Sequence, residues 1–204
     1  MVAINSISGE QAKATENTAK KVTRLLNYSA THPHATIRYS KSGMVLKLHT
    51  NAAYLVEPRA RSRHGAHYWL GTLGIDDDNG AIKNNASIIK PVVSSVAEAE
   101  TAGCFYNCIH AIPICIALEE MGHTQPPTPV TCDNSTAVGI ANQTIKQRRS
   151  KAIDMQHYWL QDRECQEQLK IEWAAGANNK ADYFTKHFSV SHHREKRPEY
   201  LHTK

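Results

Sequence analysis

The order of strand-like and helix-like segments constrains the fold of this chain more than any other feature. From Met44 the apolar residues alternate with a period of two, and three such segments, 44–50, 66–71 and 87–93, precede the first long helix. The second half alternates shorter elements, a strand, two helices and a strand, at 130–132, 134–142, 150–165 and 169–173. Asn178 or Asn179 would then cap a last helix that contains Asp182. The order β-β-β-α-β-α-α-β-α predicts an α/β fold.

The long helix carries its own start, break and stop signals. Ser95-Val96-Ala97-Glu98 has the spacing of a capping box. Gly122 is a suitable stop, because glycine adopts the left-handed conformation that ends many helices. Pro113 lies between them and is expected to kink or split the helix.

Residues 1–43 form a separate N-terminal region. Ser8 to Gln11 resembles a capping box, and the Thr31-His32-Pro33-His34 segment ends the helix, since the residue before proline avoids the α conformation. Between them, one helical face carries Ala14, Thr18, Val22, Leu25, Leu26 and Ser29. Such a helix either docks on the main domain or remains from a preceding one.

Composition excludes some classes of protein. The chain has 204 residues, of which 41% are hydrophobic and 21% charged, as in ordinary globular proteins. No apolar run approaches the roughly 20 residues that a membrane span needs, so we expect no membrane partner. The five cysteines are odd in number and suit a reducing compartment, which favours an intracellular protein in the cytoplasm or nucleus.

The positive charge is clustered. The formal net charge is +5, and the internal clusters comprise Arg59, Arg61, Arg63, Lys146, Arg148, Arg149 and Lys151. Such clusters favour a polyanion, because each phosphate contact releases condensed counterions. An ordinary solvated basic surface remains the alternative. The basic, His-rich segment 189–204 is either a frayed terminus or is held down by Pro198, Tyr200 and Leu201.

Four segments that are distant in sequence each place one polar residue where an element ends or begins. These residues are Asn51, Glu100, Asp133 and Asp182. Carboxylate oxygens are the ligands that Mg²⁺ prefers, and two-metal phosphodiester hydrolysis needs several of them on one small patch. Glu98 has the position of a capping-box glutamate, so we assign it a structural role and assign metal binding to Glu100.

Around these four residues the sequence resembles the ribonuclease H domain of Ty1/copia-type retrotransposon polyproteins. Members of that family commonly show Ser-Asp-Ala-Ser/Asp-Tyr/Trp, Ser-Ser-x-Glu-Ala-Glu-Tyr, Asp-Asn-x-x-Ala, Arg-Ser/Thr-Lys-His-Ile-Asp and Ala-Asp-x-x-Thr-Lys. The corresponding segments here are 49–54, 94–101, 133–137, 148–155 and 181–186. Each motif alone is weak, whereas their common order and spacing are specific.

The resemblance implies a ribonuclease H-like mixed five-stranded sheet with helices on both faces, plus an N-terminal helix. It also implies a division into a helical remnant of the reverse-transcriptase region at 1–43, a ribonuclease H-like domain at 44–188 and a basic His-rich tail at 189–204. Two Mg²⁺ or Mn²⁺ ions would be held by Glu100, Asp133 and Asp182. The expected partners are an RNA:DNA hybrid and the rest of the polyprotein, in the cell or in the particle of the element.

The motifs add Asn134 and Lys186 to the basic residues as candidate nucleic-acid contacts. Asn51 stands where the family has its first catalytic Asp, so the site lacks one negative charge. Thr101 replaces the usual aromatic residue after Glu100. We therefore expect weak or absent hydrolysis. The alternatives are a non-catalytic nucleic-acid-binding module and an inert remnant of the element.

Two other patterns have plainer interpretations. Cys104 and Cys108 share a helical face, but no second ligand pair with zinc spacing follows, so core packing is favoured. Cys132 is interpreted as a buried strand residue. The acidic run 76–80 predicts a turn, since Ser87 stands where a calcium loop needs glutamate.

Overall fold

A single mixed sheet organises the fold. The computed structural model describes residues 1–145 and 154–202. Its five strands have the order β3-β2-β1-β4-β5 and span Val45–Glu57 (β1), Arg61–Gly71 (β2), Ala81–Ile89 (β3), Thr128–Cys132 (β4) and Leu169–Trp173 (β5). β2 pairs antiparallel with β1 and β3, whereas β4 pairs parallel with β1 and β5. The predicted mixed five-stranded sheet is confirmed.

The first three strands are longer than predicted or shifted. β1 continues past Asn51 and turns into β2 through Arg59 and Ala60, whose φ angles are +61° and +54°. A register irregularity between Ala53 and Glu57 precedes this turn. β3 begins at Ala81 rather than 87, because the predicted turn at 76–80 leads directly into the strand.

Helix α3, Val96–Glu120, crosses the sheet. Its predicted N-cap is confirmed, since the Ser95 hydroxyl accepts the Glu98 N–H at 3.1 Å. Its predicted stop at Gly122 is also confirmed: Gly122 has φ +90°, and the His123 N–H donates to the Leu118 carbonyl at 2.9 Å, as in a Schellman motif.

Pro113 was expected to kink or split this helix, and it does not split it, since α3 is continuous from Val96 to Glu120. Pro113 lies on an exposed part of α3, where the carbonyl freed by the missing N–H can bond to water. Because the helix is continuous, it is long and apolar enough to cross a membrane by length and composition alone, contrary to the sequence expectation. In this fold it is the central helix of the core.

The main core lies between the sheet and three helices, α3, α4 (Ser135–Ala141) and α5 (Asp154–Cys165). Its fully buried large side chains include Leu46, Leu48, Tyr68, Val130, Leu160, Leu169 and Ile171. On the opposite face of β2, the ring of His67 stacks on Phe184 and meets Tyr200 edge-on. Segments after β5 therefore cover part of the second face.

The N-terminal region forms two helices, α1 (Val2–Gly9) and α2 (Glu16–Thr31). The predicted capping box at Ser8 is wrong, because Ser8 lies in the last turn of α1. Thr15 and Thr18 form the capping box of α2 instead. The predicted end of this helix at Thr31 is confirmed.

The C-terminal segment is anchored. Helix α6, Val190–Lys196, is followed by Tyr200, whose hydroxyl donates to the Lys180 carbonyl at 2.7 Å and whose ring stacks on Tyr183 at 4.8 Å. His202 then bridges to Thr36 through two backbone hydrogen bonds of 2.8 Å. Of the two alternatives for this segment, the structure supports the one in which Tyr200 holds it down.

Candidate metal centre

The parallel pairing of β1 and β4 brings two of the four predicted positions together. Leu48 lies opposite Val130 and His49 opposite Thr131. Continued by two residues, the same register places Asn51 beside Asp133, which directly follows β4. Glu100 comes from the first turns of α3, which starts beside this edge. The carboxyl end of a parallel strand is a common place for a functional site, because it presents side chains at a rigid edge.

Glu100 and Asp133 form a compact group with Cys132. One potential ligand atom from each residue lies within 4.8 Å of the other two. The Ala52 N–H donates to Glu100 Oε2 at 3.0 Å, and the side chain of Glu100 is only 4% exposed. Burial, together with the nearby charge of Asp133, raises the pKa of Glu100 to about 8.

Asp133 is partly buried beneath the loop after β5. A Cβ atom at residue 176 would lie only 2.8 Å from Asp133 Oδ2. The loop can therefore come this close to Asp133 only with glycine at position 176. The Trp173 indole N–H donates to the Asp133 carbonyl at 3.0 Å. Burial raises the pKa of Asp133, and the charge of Asp182 acts in the same direction.

Asp182 lies in a 3₁₀ turn, Asp182–Phe184, rather than at the start of the predicted α-helix. The turn ends at Phe184, and Phe184 and Thr185 both lie against Gly65. The Asn51 amide donates to Asp182 Oδ1 at 2.8 Å, and the Lys186 ammonium donates to the same oxygen at 2.5 Å. Asp182 is therefore paired within the protein and is not a member of the 4.8 Å group.

Asn179 holds this turn beside β1. Its side-chain amide donates to the Thr50 carbonyl at 2.8 Å, and its side-chain oxygen accepts the Ala181 N–H at 3.0 Å. The predicted capping role of Asn178 or Asn179 is thus replaced by a contact between Asn179 and the strand that carries Asn51.

Comparisons with known proteins agree with this architecture. No protein-family model matches the sequence. The N-terminal RNase H domain of rv2228c from Mycobacterium tuberculosis, solved as a fusion with maltose binding protein, superposes with a TM-score of 0.51 at 16% identity, covering 70% of this chain and 91% of that chain. The fold is ribonuclease H-like. LC11-RNase H1, solved in complex with an RNA/DNA hybrid, has a TM-score of 0.49 at 11% identity and covers 69% of this chain and 93% of its own.

The chain also resembles a known polyprotein in sequence. It is 29% identical over 107 residues to the retrovirus-related Pol polyprotein from transposon TNT 1-94 of Nicotiana tabacum. The match covers 52% of this chain but only 8% of the polyprotein. The resemblance to a retrotransposon polyprotein, first indicated by the motifs, is confirmed by this match.

The donor set at this edge of the sheet suits a divalent cation in part. Glu100 and Asp133 supply oxygen ligands of the kind that Mg²⁺ and Mn²⁺ prefer. Within residues 1–145 and 154–202, no cationic side chain forms an ion pair with the buried Glu100. Without a cation, burial and the charge of Asp133 raise the pKa of Glu100 and favour its protonated form, so a metal ion would bind there by displacing that proton. Position 51, in contrast, supplies an uncharged amide.

Glu98 has a capping role, although not the predicted one. Its carboxylate accepts hydrogen bonds from the backbone N–H and the hydroxyl of Ser94, at 2.6 and 2.7 Å, rather than from the backbone of Ser95. Glu98 is thus used in the entry to α3, whereas Glu100 is turned into the interior.

The basic residues predicted to contact nucleic acid are placed very differently. Arg63 is 1% exposed and forms an ion pair with Glu57, so its assignment to a binding surface is wrong; β2 directs this side chain into the protein. Arg61 donates to the Lys90 carbonyl, and Arg59 is exposed in the hairpin turn. Four further candidates lie outside the described residues: Lys146, Arg148, Arg149 and Lys151.

Asn134 and Lys186 have structural partners of their own. Asn134 caps α4, since its side-chain oxygen accepts the Ala137 N–H at 3.0 Å, and Lys186 pairs with Asp182. Cys132 is a buried strand residue, as predicted, and its Sγ atom lies 4.0 Å from Glu100 Oε2.

Proposed function

We propose that residues 44–188 are the ribonuclease H domain of a copia-type retrotransposon polyprotein. The domain would act on the RNA strand of an RNA:DNA hybrid, at a divalent-metal centre weakened by Asn51. The observation that carries the proposal is the convergence of Glu100 and Asp133, from separate elements, at the edge of a ribonuclease H-like sheet. Intracellular reverse transcription within a larger polyprotein is the setting that this proposal implies.

In the proposed site, Glu100 and Asp133 hold the cation, and Asp182 joins them when Lys186 releases it. A bound divalent cation would supply Lewis-acid activation of water and stabilisation of the leaving oxygen. The protein's own contribution is to keep these carboxylates fixed: the Ala52 N–H orients Glu100, and Asn179 holds the turn that carries Asp182. Asn51 offers no charge to the cation.

The proposed hybrid contacts are sequence-independent. Arg59 in the exposed hairpin turn and the basic cluster at 146–151 would contact the sugar-phosphate backbone, while groove shape and 2′-hydroxyls identify the hybrid. Lys186 would contact a phosphate once it leaves Asp182. Arg63 has no part in this surface.

Cleavage of a labelled RNA:DNA hybrid with Mg²⁺ or Mn²⁺ tests the proposal. We expect little turnover by the unaltered chain and an increase of about 100-fold or more for Asn51→Asp, on the scale of one electrostatic catalytic group. Asn27→Asp, which adds a carboxylate at an exposed position of α2, is the matched control and leaves the rate unchanged. Robust turnover without substitution, or no gain in Asn51→Asp, would contradict the proposal.

A non-catalytic nucleic-acid-binding module is the second candidate. The pairing of Asp182 with Asn51 and Lys186 favours it, because this part of the site is satisfied without a cation. Hybrid binding that weakens with salt, without cleavage by either the unaltered chain or Asn51→Asp, would support this candidate over the first.

A further inference from the structure

Asp182 already has a positively charged partner, which lies four residues later in the chain. The Lys186 ammonium donates to Asp182 Oδ1 at 2.5 Å. Between the two residues, the Thr185 hydroxyl and the Thr185 N–H both donate to the Asp182 carbonyl, at 3.0 and 3.1 Å. These local hydrogen bonds keep the segment between Asp182 and Lys186 compact, so the ammonium stays within reach of the carboxylate.

The ammonium also lies on the side of Asp182 that meets the sheet. The oxygen that it contacts, Oδ1, accepts a second hydrogen bond from the Asn51 amide of β1 at 2.8 Å. An ordinary surface pair at this spacing contributes little and has no third member. Here the lysine places its charge beside position 51, where the site lacks a carboxylate.

The charge of Lys186 acts on the other two carboxylates as well. Burial raises the pKa of Glu100 and that of Asp133, and the positive charge of Lys186 opposes this increase at both residues. Such an effect requires proximity, because the interaction between charges weakens with distance and is screened by water and salt. Lys186 thus interacts with all three carboxylates of the candidate metal centre.

We infer that Lys186 is an internal counterion, which competes with a divalent cation for Asp182 and lowers the affinity of the site for that cation. The inference rests on the metal centre of the proposed function and adds a control of its occupancy. Two cations on one carboxylate repel each other, so Lys186 has to leave before Asp182 can become a ligand. The side chains of Asp182 and Lys186 are 28% and 48% exposed, so the lysine can turn into solvent without unfolding the turn.

Titration of the whole chain with Mn²⁺, with the free ion measured by electron paramagnetic resonance, tests the inference. Lys186→Gln should increase the affinity for Mn²⁺ at least about 5-fold, because the competing charge is removed. Lys186→Arg keeps the charge and should bind Mn²⁺ as the unaltered chain does. Lys20→Gln, which removes the same charge from an exposed position of α2, is the matched control and should leave the affinity unchanged. Equal affinities of Lys186→Gln and the unaltered chain would overturn the inference.

Acetylation of the unaltered chain, followed by mass spectrometry, gives a second measurement that does not depend on the folding of a variant. The hydrogen bond to Asp182 has to break before the reagent reaches the Lys186 nitrogen. Relative to Lys20, we expect Lys186 to react at least about 3-fold faster in saturating Mn²⁺ than in a chelator. Mn²⁺ binding without this increase overturns the inference but leaves the proposed carboxylate centre standing. Failure of Mn²⁺ and Mg²⁺ to bind either the unaltered chain or Lys186→Gln overturns both.

Discussion

Glu100 is the residue at which burial and charge conflict most directly. Its folded pKa of about 8 lies above the usual value of about 4.3 for an unfolded chain, so the folded state favours the protonated form. The stability that this group contributes is therefore fully present below about pH 4.3 and is lost as the pH rises through 8. In the absence of metal, Glu100 destabilises the protein at neutral pH.

We therefore expect Glu100→Gln to raise the free energy of unfolding by about 3 kcal/mol at pH 8 and by much less at pH 5. Urea denaturation in the presence of a chelator at the two pH values measures the difference. Glu119→Gln, at an exposed position of α3, is the control and should show no such dependence. An equal effect of Glu100→Gln at both pH values would count against a buried, protonatable carboxylate.

Single residues also mark where sequence reasoning succeeded and failed. The motif order correctly placed Asn51, Glu100 and Asp133 near one another, although Asn51 lies within β1 rather than at its end. The pattern of alternating arginines did not reveal that Arg63 is buried. Its partner, Glu57, becomes available only because β1 extends past the predicted strand, and that extension depends on pairing with β2.

At the scale of elements, Asn107 joins α3 to the antiparallel part of the sheet. Its amide donates to Thr50 Oγ1 at 2.7 Å and to the Gly65 carbonyl at 2.9 Å, and its side-chain oxygen lies 2.9 Å from His64 Nδ1. Asn107 is fully buried, so water does not reach these hydrogen bonds from its side. The side chain of Asn107 thus links α3 to both β1 and β2 through hydrogen bonds.

Asn107→Leu should lower the free energy of unfolding by about 3 kcal/mol or more, because it leaves several buried polar groups without a partner. Tyr68→Phe removes one hydrogen bond, from the tyrosine hydroxyl to the Asn107 carbonyl at 2.8 Å, and should cost about 1 kcal/mol. Chemical denaturation of both variants gives the comparison. Equal losses in the two would show that the side-chain network adds nothing beyond one hydrogen bond.

The anchoring of α6 depends on Tyr200. Tyr200→Ala removes both the stack on Tyr183 and the hydrogen bond to the Lys180 carbonyl, so we expect amide exchange in 190–196 to accelerate about 10-fold or more. Tyr200→Phe keeps the ring and should have a smaller effect. Exchange measured by mass spectrometry tests both variants; unchanged protection of 190–196 in Tyr200→Ala would mean that other contacts hold the segment.

Element boundaries were predictable where a local signal defines them. Ser95 and Gly122 set the ends of α3 through backbone geometry that a few neighbouring residues determine. The start of β3 was missed because it depends on pairing with β2, which a local pattern does not contain. The short turn at Asp182 was missed for a similar reason: tertiary contacts of Phe184 and Thr185 with Gly65 prevent a longer helix there.

At the scale of the whole molecule, polar groups are buried on both faces of the sheet. His64 faces α3, while His49 and His67 lie on the opposite face with Trp69. Burial lowers the pKa of His49 to about 3 and that of His64 and of His67 to about 4. The sequence alone did not predict these positions, since twelve histidines in a basic chain also suit a solvated surface.

These histidines and Glu100 make the stability depend on pH in opposite directions. A histidine whose folded pKa is lowered contributes stability that is present above its unfolded pKa of about 6.5 and is lost as the pH falls through about 4. Between pH 7 and pH 5 the protonation of Glu100 offsets part of this loss. The unaltered chain should therefore show a smaller pH dependence in that interval than a variant that lacks the Glu100 carboxyl.

In the Glu100→Gln background the offset is removed, and the free energy of unfolding should fall by about 4 kcal/mol from pH 7 to pH 5. Adding His67→Gln should reduce that fall by about a third, because one of three similar groups is then lost. Urea denaturation across the interval measures both slopes, and a fall of the same size with and without Glu100→Gln would contradict the opposition of the two groups.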